Sequence, residues 1–452
     1  MIGNWSRVFD PGIGYFYSHQ PTGMVMAAYA LMAVLTIVAF ACTFLPKWTR
    51  LFLVPVMLLM ADDLRRGLGI PILPFVVIVL VGFGLVFAAV KKGKTTWLRS
   101  GTLSLELLGY AGIATMLGAL TLFRSMPLPI SETPVTQKPG SRIVLVVFDE
   151  LDPVHAIEKW PSKYPENEFM KASKQSLYFA DCAMPGPETL YSLPAMTIGH
   201  TVDKAKAADN HTLNLIIEGK KREWNEKPNV LLEAKDTVGA SAMGWYHPYD
   251  RVFPGIEGKF YERVSDNPVF CFCLLFDFLI ERPFQMVGKN SQTKMLNTFY
   301  SQRQREMIES FHREVPKFID DHFGVILLHV PCPHGPYVMR PVEGDPLGFD
   351  PESYYGAAAY AGEIYRTIEK TLKAGSVPYT LIATSDHNLR IPLNGIKPCG
   401  RVPMIISGTN IQSPMMVKNK TYGEHVADVI RILMAKPNAG ESELIQAMTK
   451  PR

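Results

Sequence analysis

The most chemically suggestive stretch of this 452-residue chain is a turn that ends at a threonine. Residues 184–188 contain two prolines and a glycine, and the apolar run after them predicts a helix that begins at Thr189. Backbone N–H groups in the first turn of a helix lack intrahelical partners and, with the helix dipole, stabilise an anion. A hydroxyl there suits attack on phosphate or sulfate, although threonine is also an ordinary helix cap.

Six acids and histidines lie at or just past the ends of apolar runs in the second part of the chain. They are Asp149, Glu150, His329, His334, Asp386 and His387. Carboxylate and imidazole groups are suited to Zn²⁺ or Mn²⁺. Such an ion would lower the pKa of the Thr189 hydroxyl and hold a phosphoryl oxygen.

Alternating strands and helices are expected to position these groups. Continuous runs rich in β-branched residues predict strands, and runs with one apolar face predict helices. The predicted strands are 142–148, 323–329, 379–384 and 402–407, and the predicted helices include 301–320 and 355–372. The pattern indicates an α/β domain with a mostly parallel central sheet flanked by helices. Ligand sites in such sheets lie beyond the carboxyl ends of the strands, where the six groups are expected to meet.

The first quarter of the chain reads as a helical membrane domain, residues 1–124. The runs 24–44, 69–90 and 101–123 are each long enough to span a bilayer. Residues 51–61 form a shorter run, so we expect four transmembrane helices, with three as the alternative.

Basic residues predict the orientation of these helices. The short loop before the last predicted span carries Lys91, Lys92, Lys94 and Arg99, which favours a cytoplasmic position for that loop. The chain after Arg124 is then expected outside the cytoplasm. Residues 125–141 contain four prolines and are interpreted as an extended linker to a soluble domain, 142–452.

Composition excludes some classes of function. The net charge is +4 without a block of basic residues, so we expect no nucleic-acid partner. The six cysteines show no paired C-x-x-C spacing, which argues against a structural zinc module. Cys332 and Cys399 both follow predicted strands and are our first candidates for a disulfide.

An aromatic cluster at residues 244–249 surrounds His247. It suits contact with a lipid headgroup or sugar, but the pattern favours packing in the core. We keep His247 as a candidate substrate-binding residue.

Four short motifs resemble, in order and spacing, the alkaline phosphatase/sulfatase superfamily. They lie at residues 146–149, 189–196, 334–336 and 385–387. The nearest likeness is to the membrane-anchored branch that includes lipid A phosphoethanolamine transferases and lipoteichoic acid synthases. The resemblance covers roughly residues 142–410 and implies an alkaline phosphatase-like fold.

The resemblance also implies roles for individual residues. Thr189 matches the nucleophile that becomes phosphorylated, and Asp149, Asp386 and His387 match residues that bind the metal, Zn²⁺ or Mn²⁺, together with that threonine. His334 matches a histidine that contacts the transferred phosphate or a second metal.

The chain departs from the family pattern at two places. A further histidine usually follows the Asp-His pair, but residues 388–399 contain none and offer Lys397 instead. The transferases have one glutamate at the end of the first strand, whereas this chain has Asp149 followed by Glu150. Either could be the ligand, and we favour Asp149, with Glu150 kept as a substrate-binding or second-metal candidate.

The function implied by this resemblance is that of a metal-dependent transferase. It would move a phospho-substituted headgroup, such as phosphoethanolamine or phosphoglycerol, from a membrane phospholipid to an envelope glycan or glycolipid through a phosphothreonine. The expected location is the bacterial cytoplasmic (inner) membrane, with the catalytic domain in the periplasm. The alternatives are a membrane-anchored phosphodiesterase or sulfatase-like hydrolase, and a catalytically inactive lipid-binding regulator of envelope synthesis.

Overall fold

The structure, a computed structural model, describes residues 15–16, 140–261, 294–319, 323–339 and 351–451, with only the backbone of 294–299 and of 351. The predicted membrane segments, and all but the last two residues of the predicted linker, lie outside these residues. Within the described part of the chain, no helix has the length and apolar character needed to cross a bilayer. Contacts divide the chain into two units, Met1–Pro127 with Val264–Asn297, and Leu128–Arg263 with Thr298–Arg452. The description below concerns the second unit.

A nine-stranded mixed sheet forms the centre of this unit, in the order β11-β2-β10-β9-β1-β8-β6-β7, with β12 also paired to β2. Its strands are β1 (Arg142–Asp149), β2 (Leu177–Ala183), β6 (Ala240–Trp245), β7 (Glu257–Tyr261), β8 (Val325–Pro333), β9 (Tyr379–Ser385), β10 (Arg401–Gly408), β11 (Met415–Val417) and β12 (Thr421–Tyr422). A separate antiparallel sheet contains β3 (Lys204–Ala207), β4 (Leu213–Ile217) and β5 (Lys220–Glu223).

The middle of the large sheet is parallel. β1 pairs in parallel with β8 on one side and β9 on the other, and β6 joins β8 and β7 in the same direction. β10 runs antiparallel to both β9 and β2. The carboxyl ends of β1, β8 and β9 therefore meet at one edge of the sheet.

Eight α-helices accompany the strands. They are α1 (Glu168–Gln175), α2 (Thr189–Ile198), α3 (Val230–Lys235), α4 (Tyr249–Val252), α5 (Lys294–Phe318), α6 (Tyr354–Ala374), α7 (Val426–Ala435) and α8 (Glu441–Met448). A short π-helix (Val154–Glu158) and two 3-10 turns (Pro351–Ser353 and Gly423–His425) complete the described elements.

Both faces of β1 are covered, which explains its continuous apolar sequence. Val144, Val146 and Phe148 belong to one buried cluster with residues of α1, α5 and α6. Ile143, Leu145 and Val147 alternate with them, point to the opposite face and are at most 3% exposed. Helix α7 lies against β1 and α2. The predicted α/β architecture, a mixed sheet flanked by helices, is confirmed.

Strand β8 corrects one detail of that prediction. The expected strand stopped at residue 329, but β8 continues to Pro333. Its pairing with β1 shifts register after Phe148, so that Asp149 lies opposite Pro333. His329 is consequently inside a fully buried strand, opposite Val147 of β1 and Gly244 of β6, rather than beyond its end.

Gly244 allows β6 to approach His329 closely. A Cβ atom built on Gly244 would lie 2.6 Å from the His329 Cβ and 2.7 Å from the His329 carbonyl oxygen. We therefore expect Gly244→Ala to lower the free energy of unfolding by about 1–3 kcal/mol, the usual cost of overpacking. Thermal or denaturant unfolding of the purified protein measures this.

The matched control is Gly140→Ala, because an added Cβ at Gly140 meets no atom within 4 Å. Equal stabilities for the two variants would show that the contact between β6 and His329 is not tight.

Candidate active site

Thr189 is the first residue of α2, and its side chain faces the edge of the sheet. Glu188 before it is extended (φ −150°, ψ 155°), and the helix ends at Gly199 in the left-handed conformation (φ 89°). The Thr189 hydroxyl donates a hydrogen bond of 2.6 Å to Asp386 Oδ2, and the residue is only 5% exposed. The helix begins at Thr189, as the sequence predicted, and this first residue carries a buried hydroxyl held against a carboxylate.

Asp386 follows the last residue of β9, and its carboxylate accepts hydrogen bonds from three residues. Its Oδ1 accepts hydrogen bonds from the backbone N–H of Glu150 (3.2 Å) and of His387 (2.7 Å), while Oδ2 accepts from Thr189. Burial raises the pKa of Asp386, but the imidazoles of His387 and His329 and the hydrogen bond from Thr189 lower it by more. The pKa of the Asp386 carboxyl is therefore below its ordinary value, and the group is ionised at neutral pH.

Ser385 fixes the end of β9 to the end of β1. Its hydroxyl lies 2.6 Å from the Phe148 carbonyl oxygen, to which it donates, and accepts a hydrogen bond of 2.9 Å from the Leu151 N–H. The two acids at these strand ends, Asp149 and Asp386, are thereby held at one place.

Four groups converge there. Ligand atoms of Asp149, His329 and Asp386 lie within 4.8 Å of one another, and all three residues are fully buried. The His329 Nε2 is 3.7 Å from Asp149 Oδ2. The His387 Nε2 is 3.7 Å from Asp149 Oδ1 and 3.3 Å from Asp386 Oδ2.

Both histidines are oriented by backbone carbonyls. The His329 Nδ1 lies 2.9 Å from the Trp245 carbonyl oxygen and 3.0 Å from the Tyr249 hydroxyl, and the His387 Nδ1 lies 3.0 Å from the Asn388 carbonyl oxygen. A carbonyl only accepts, so each Nδ1 carries a proton, and each Nε2 faces the carboxylates.

The donor set fits a divalent metal ion. Metal-binding histidines usually donate their other ring N–H to a carbonyl or carboxylate, as both do here. Among the described residues, the His329 Nε2 has no hydrogen-bond partner. Burial lowers the pKa of His329 to about 4, so its imidazole is neutral at pH 7 and can act as a ligand. Two carboxylates this close in a buried site are stabilised by a cation, and oxygen with imidazole donors suits Zn²⁺ or Mn²⁺.

Glu150, the alternative ligand of the sequence analysis, has a different position. Its carboxylate forms an ion pair with Arg390, with Oε1 2.9 Å from Nε, and it is not part of the group around His329. Only its backbone N–H reaches Asp386. The structure thus brings Asp149 to the cluster and turns the Glu150 side chain away.

Lys397 and His334 lie outside this cluster of ligand atoms. Lys397 is exposed on the segment between β9 and β10, and none of the hydrogen bonds or ion pairs found among the described residues joins it to the site. His334 directly follows β8 and is partly buried, with its Nδ1 2.6 Å from the Gly335 carbonyl oxygen. Its ring packs edge-on to Trp245 at 5.0 Å, and Trp245 in turn lies 6.2 Å from the His329 ring.

His247 contacts the backbone of Thr189. It is fully buried, its Nε2 is 3.3 Å from the Thr189 carbonyl oxygen, and its ring packs on Trp224 at 4.6 Å. Of the two interpretations kept for the aromatic cluster, these contacts favour core packing over an open substrate surface.

The predicted disulfide between Cys332 and Cys399 was wrong, because both cysteines are free. The Cys332 thiol is buried and donates to the Ala357 carbonyl oxygen at 3.1 Å. The Cys399 sulfur instead lies 3.8 Å from the Arg401 carbonyl oxygen and 4.0 Å from Asp152 Oδ2.

Comparisons with known proteins were made by sequence and by structure. By sequence, the chain matches no protein-family model and no curated protein. By structure, it is similar to the integral membrane lipooligosaccharide phosphoethanolamine transferase A (EptA) of Neisseria meningitidis, at 14% identity and a TM-score of 0.44, covering 86% of this chain and 73% of that one. It is also similar to a phosphonate monoester hydrolase of Agrobacterium radiobacter, at 12% identity and a TM-score of 0.43, covering 69% and 78%.

A third similar structure is a protein in the alkaline phosphatase superfamily from Vibrio parahaemolyticus, at 13% identity and a TM-score of 0.41, covering 73% of this chain and 74% of that one. The superfamily that the motifs resemble is represented among these structures. At such identities and scores, the likeness assigns no activity to this chain.

Two residues of the site were not predicted from the sequence. His329 was noted at a strand end but was not assigned as a ligand, and Arg390 was not singled out. A signal existed for His329, since a histidine inside an apolar strand needs a polar partner. Arg390 carries no such signal, because its partner Glu150 is 240 residues away in the chain.

Replacing each of the two neighbouring acids separates their roles. Asp149→Asn should reduce retention of Zn²⁺ or Mn²⁺ at least 10-fold, since it removes a buried anionic donor facing both histidines. Glu150→Gln should leave metal retention close to that of the wild type, because its backbone N–H still binds Asp386. Metal content after dialysis against a dilute chelator gives both values, and the reverse order would identify Glu150 as the ligand.

Burial of His247 predicts a pH dependence of stability for the metal-free protein. Burial first, and the nearby His329 second, lower the pKa of His247 from 6.5 to about 3. The unfolded chain therefore binds a proton that the folded chain excludes between these values. Stability from this residue is full above pH 6.5 and decreases by about 1.4 kcal/mol per pH unit on acidification towards pH 3.

In His247→Gln, which keeps an N–H donor towards Thr189, the free energy of unfolding should fall less steeply between pH 6.5 and 4. Denaturant unfolding in the presence of chelator measures both slopes. Identical slopes would mean that His247 is protonated in the folded protein.

Proposed function

We propose that this protein is a metal-dependent transferase that moves a substituted phosphate group through a covalent intermediate on Thr189. One observation carries the proposal: the Thr189 hydroxyl, at the start of a helix, is hydrogen-bonded at 2.6 Å to a carboxylate of a buried Asp/His cluster. An ordinary helix-capping threonine bonds to its own helix. A hydroxyl held instead against ionised Asp386 supports a nucleophilic role.

Asp149, Asp386, His329 and His387 would hold the ion, with the Thr189 oxygen beside them. A bound Zn²⁺ or Mn²⁺ supplies charge that acidifies the hydroxyl and stabilises negative oxygens of the phosphoryl group. The remaining chemistry belongs to residues of the chain. Asp386 Oδ2 accepts the hydroxyl hydrogen of Thr189 and so aims the oxygen, and the N-terminus of α2 favours the anionic group that approaches.

The first half-reaction forms a bond between Thr189 Oγ1 and phosphorus. The bond between phosphorus and the lipid glycerol oxygen breaks, and the proton lost by Thr189 is balanced by the proton that the released diacylglycerol hydroxyl gains. In the second half-reaction, a hydroxyl of the acceptor attacks the phosphothreonine. The acceptor loses its proton, and Thr189 regains one as its bond to phosphorus breaks.

The proposed donor is a membrane phospholipid, and the proposed acceptor is an envelope glycan or glycolipid. The predicted membrane segments and the cytoplasmic basic loop support a domain that lies outside the cytoplasm and against the inner membrane. The motif at residues 189–196 supports transfer of a headgroup such as phosphoethanolamine or phosphoglycerol. The presence of both the hydroxyl and the carboxylate–imidazole cluster favours an enzyme over an inactive regulator.

Intact mass of the purified full chain tests the intermediate. After incubation with mixed phospholipids and Zn²⁺ or Mn²⁺, the wild type should gain the mass of one transferred group, and Thr189→Ala should gain none. The size of the increment identifies the group. Thr201→Ala is the matched control, because Thr201 is an exposed hydroxyl just beyond the same helix and bonds to Glu424.

An increment that persists in Thr189→Ala would reject Thr189 as the nucleophile. Metal-dependent release of diacylglycerol without transfer to any glycan would reassign the protein as a hydrolase. A wild type that retains no metal and forms no adduct would contradict the enzyme proposal.

A further inference from the structure

Arg390 lies four residues after Asp386, and one nitrogen of its guanidinium donates a hydrogen bond to a carboxylate. Its Nε donates to Glu150 Oε1 at 2.9 Å. The Glu150 side chain is 8% exposed, whereas that of Arg390 is 47% exposed. Among the hydrogen bonds and ion pairs of the described residues, Arg390 uses Nε alone, and its side chain is about half exposed, which leaves Nη1 and Nη2 available to a ligand.

Glu150 is held firmly enough to orient this arginine. Its backbone has φ 64°, a left-handed conformation that is uncommon for a residue with a side chain and persists when its surroundings hold it. The surroundings are visible: the Glu150 N–H donates to Asp386 Oδ1 at 3.2 Å, and its carbonyl accepts from the Tyr354 hydroxyl at 3.1 Å. The end of β9 and the start of α6 thus fix the residue that positions Arg390.

The guanidinium lies in the electrostatic field of the proposed metal ligands. Partial burial lowers the pKa of Arg390, but the charges of Glu150, Asp149 and Asp386 raise it by more. When ionised, these three carboxylates bring three negative charges. A divalent ion and Arg390 together balance them, whereas without Arg390 the site would oppose an anionic substrate.

We propose that Arg390 is an anion-binding residue of this site, held through Nε by Glu150 so that Nη1 and Nη2 bind a non-bridging oxygen of the substrate phosphate. Guanidinium groups recognise phosphate oxygens with strong, directional hydrogen bonds, which a lysine ammonium does not reproduce. The inference rests on the proposed function. It assigns to Arg390 the substrate-binding role for which the sequence suggested Lys397. Glu150 is a positioning residue in this arrangement and not a metal ligand.

Binding of inorganic phosphate to the zinc-loaded full chain tests the inference apart from turnover. Isothermal titration should show a dissociation constant about 10- to 100-fold higher for Arg390→Gln than for the wild type, the range expected for loss of charge-assisted hydrogen bonds. Arg390→Lys should fall between them. Glu150→Gln should have a smaller effect than Arg390→Gln, because the amide oxygen still accepts a hydrogen bond from Nε.

Arg366→Gln is the matched control, because Arg366 forms an exposed ion pair with Glu363 on α6. Its phosphate affinity should equal that of the wild type. Zinc content is measured on every variant, so that a loss of phosphate binding is not confused with a loss of metal.

Several results would overturn the inference. Phosphate affinity could be unchanged in Arg390→Gln, or the zinc-loaded wild type could bind no phosphate. Arg390→Gln and Glu150→Gln could lose equal phosphate affinity while Arg390→Lys keeps that of the wild type. Arg390→Gln could also lose zinc together with phosphate. Failure of the proposed function is separable. Arg390-dependent phosphate binding without any adduct on Thr189 would support the anion site and reject the transferase. An adduct on the wild type, with an unchanged KM for the lipid in Arg390→Gln, would support the transferase and reject the anion site.

Discussion

The carboxylate of Asp386 is the interaction on which the arrangement of the site depends. One oxygen accepts the Thr189 hydroxyl and the other accepts backbone N–H groups of Glu150 and His387. A single buried carboxylate therefore joins the helix that begins at Thr189, the loop after β1 and the end of β9. Because a buried carboxylate is costly unless its oxygens are satisfied, this one constrains all three segments at once.

The position of β1 explains why such a concentration of charge can exist inside the domain. β1 lies between β8 and β9, all of its residues are buried, and its last residue is Asp149. Parallel neighbours bring further strand ends to the same edge, where Ser385 bonds the end of β9 to β1. The apolar packing below supplies the rigidity, and Asp149, Ser385 and Asp386 lie at the edge at which the strands end.

The predictable part of the fold is the part in which local sequence and burial agree. The runs at 142–148 and 379–384 predicted β1 and β9 almost to the residue, since a strand buried on both faces must be continuously apolar. The antiparallel sheet β3–β4–β5 was not predicted, because strands such as Lys204–Ala207 and Lys220–Glu223 are polar and largely exposed. The extension of β8 was missed for a related reason: His329 and two prolines interrupt its apolar run, and its pairing is decided by distant strands.

The extension of β8 also distinguishes the positions of His329, inside the strand, and His334, just after it. His329 is inside the strand, with its Nδ1 held by the Trp245 carbonyl and its Nε2 towards Asp149, which is the orientation of a metal ligand. His334 follows the strand end, packs edge-on to the Trp245 ring and is partly exposed, which suits contact with a bound group. Sequence spacing alone treats the two as equivalent, five residues apart. The pairing of His329 with Val147 brings the first histidine beside Asp149, whereas the second follows the end of the strand. Under the proposed function, an ion and a substrate phosphate would therefore use different histidines.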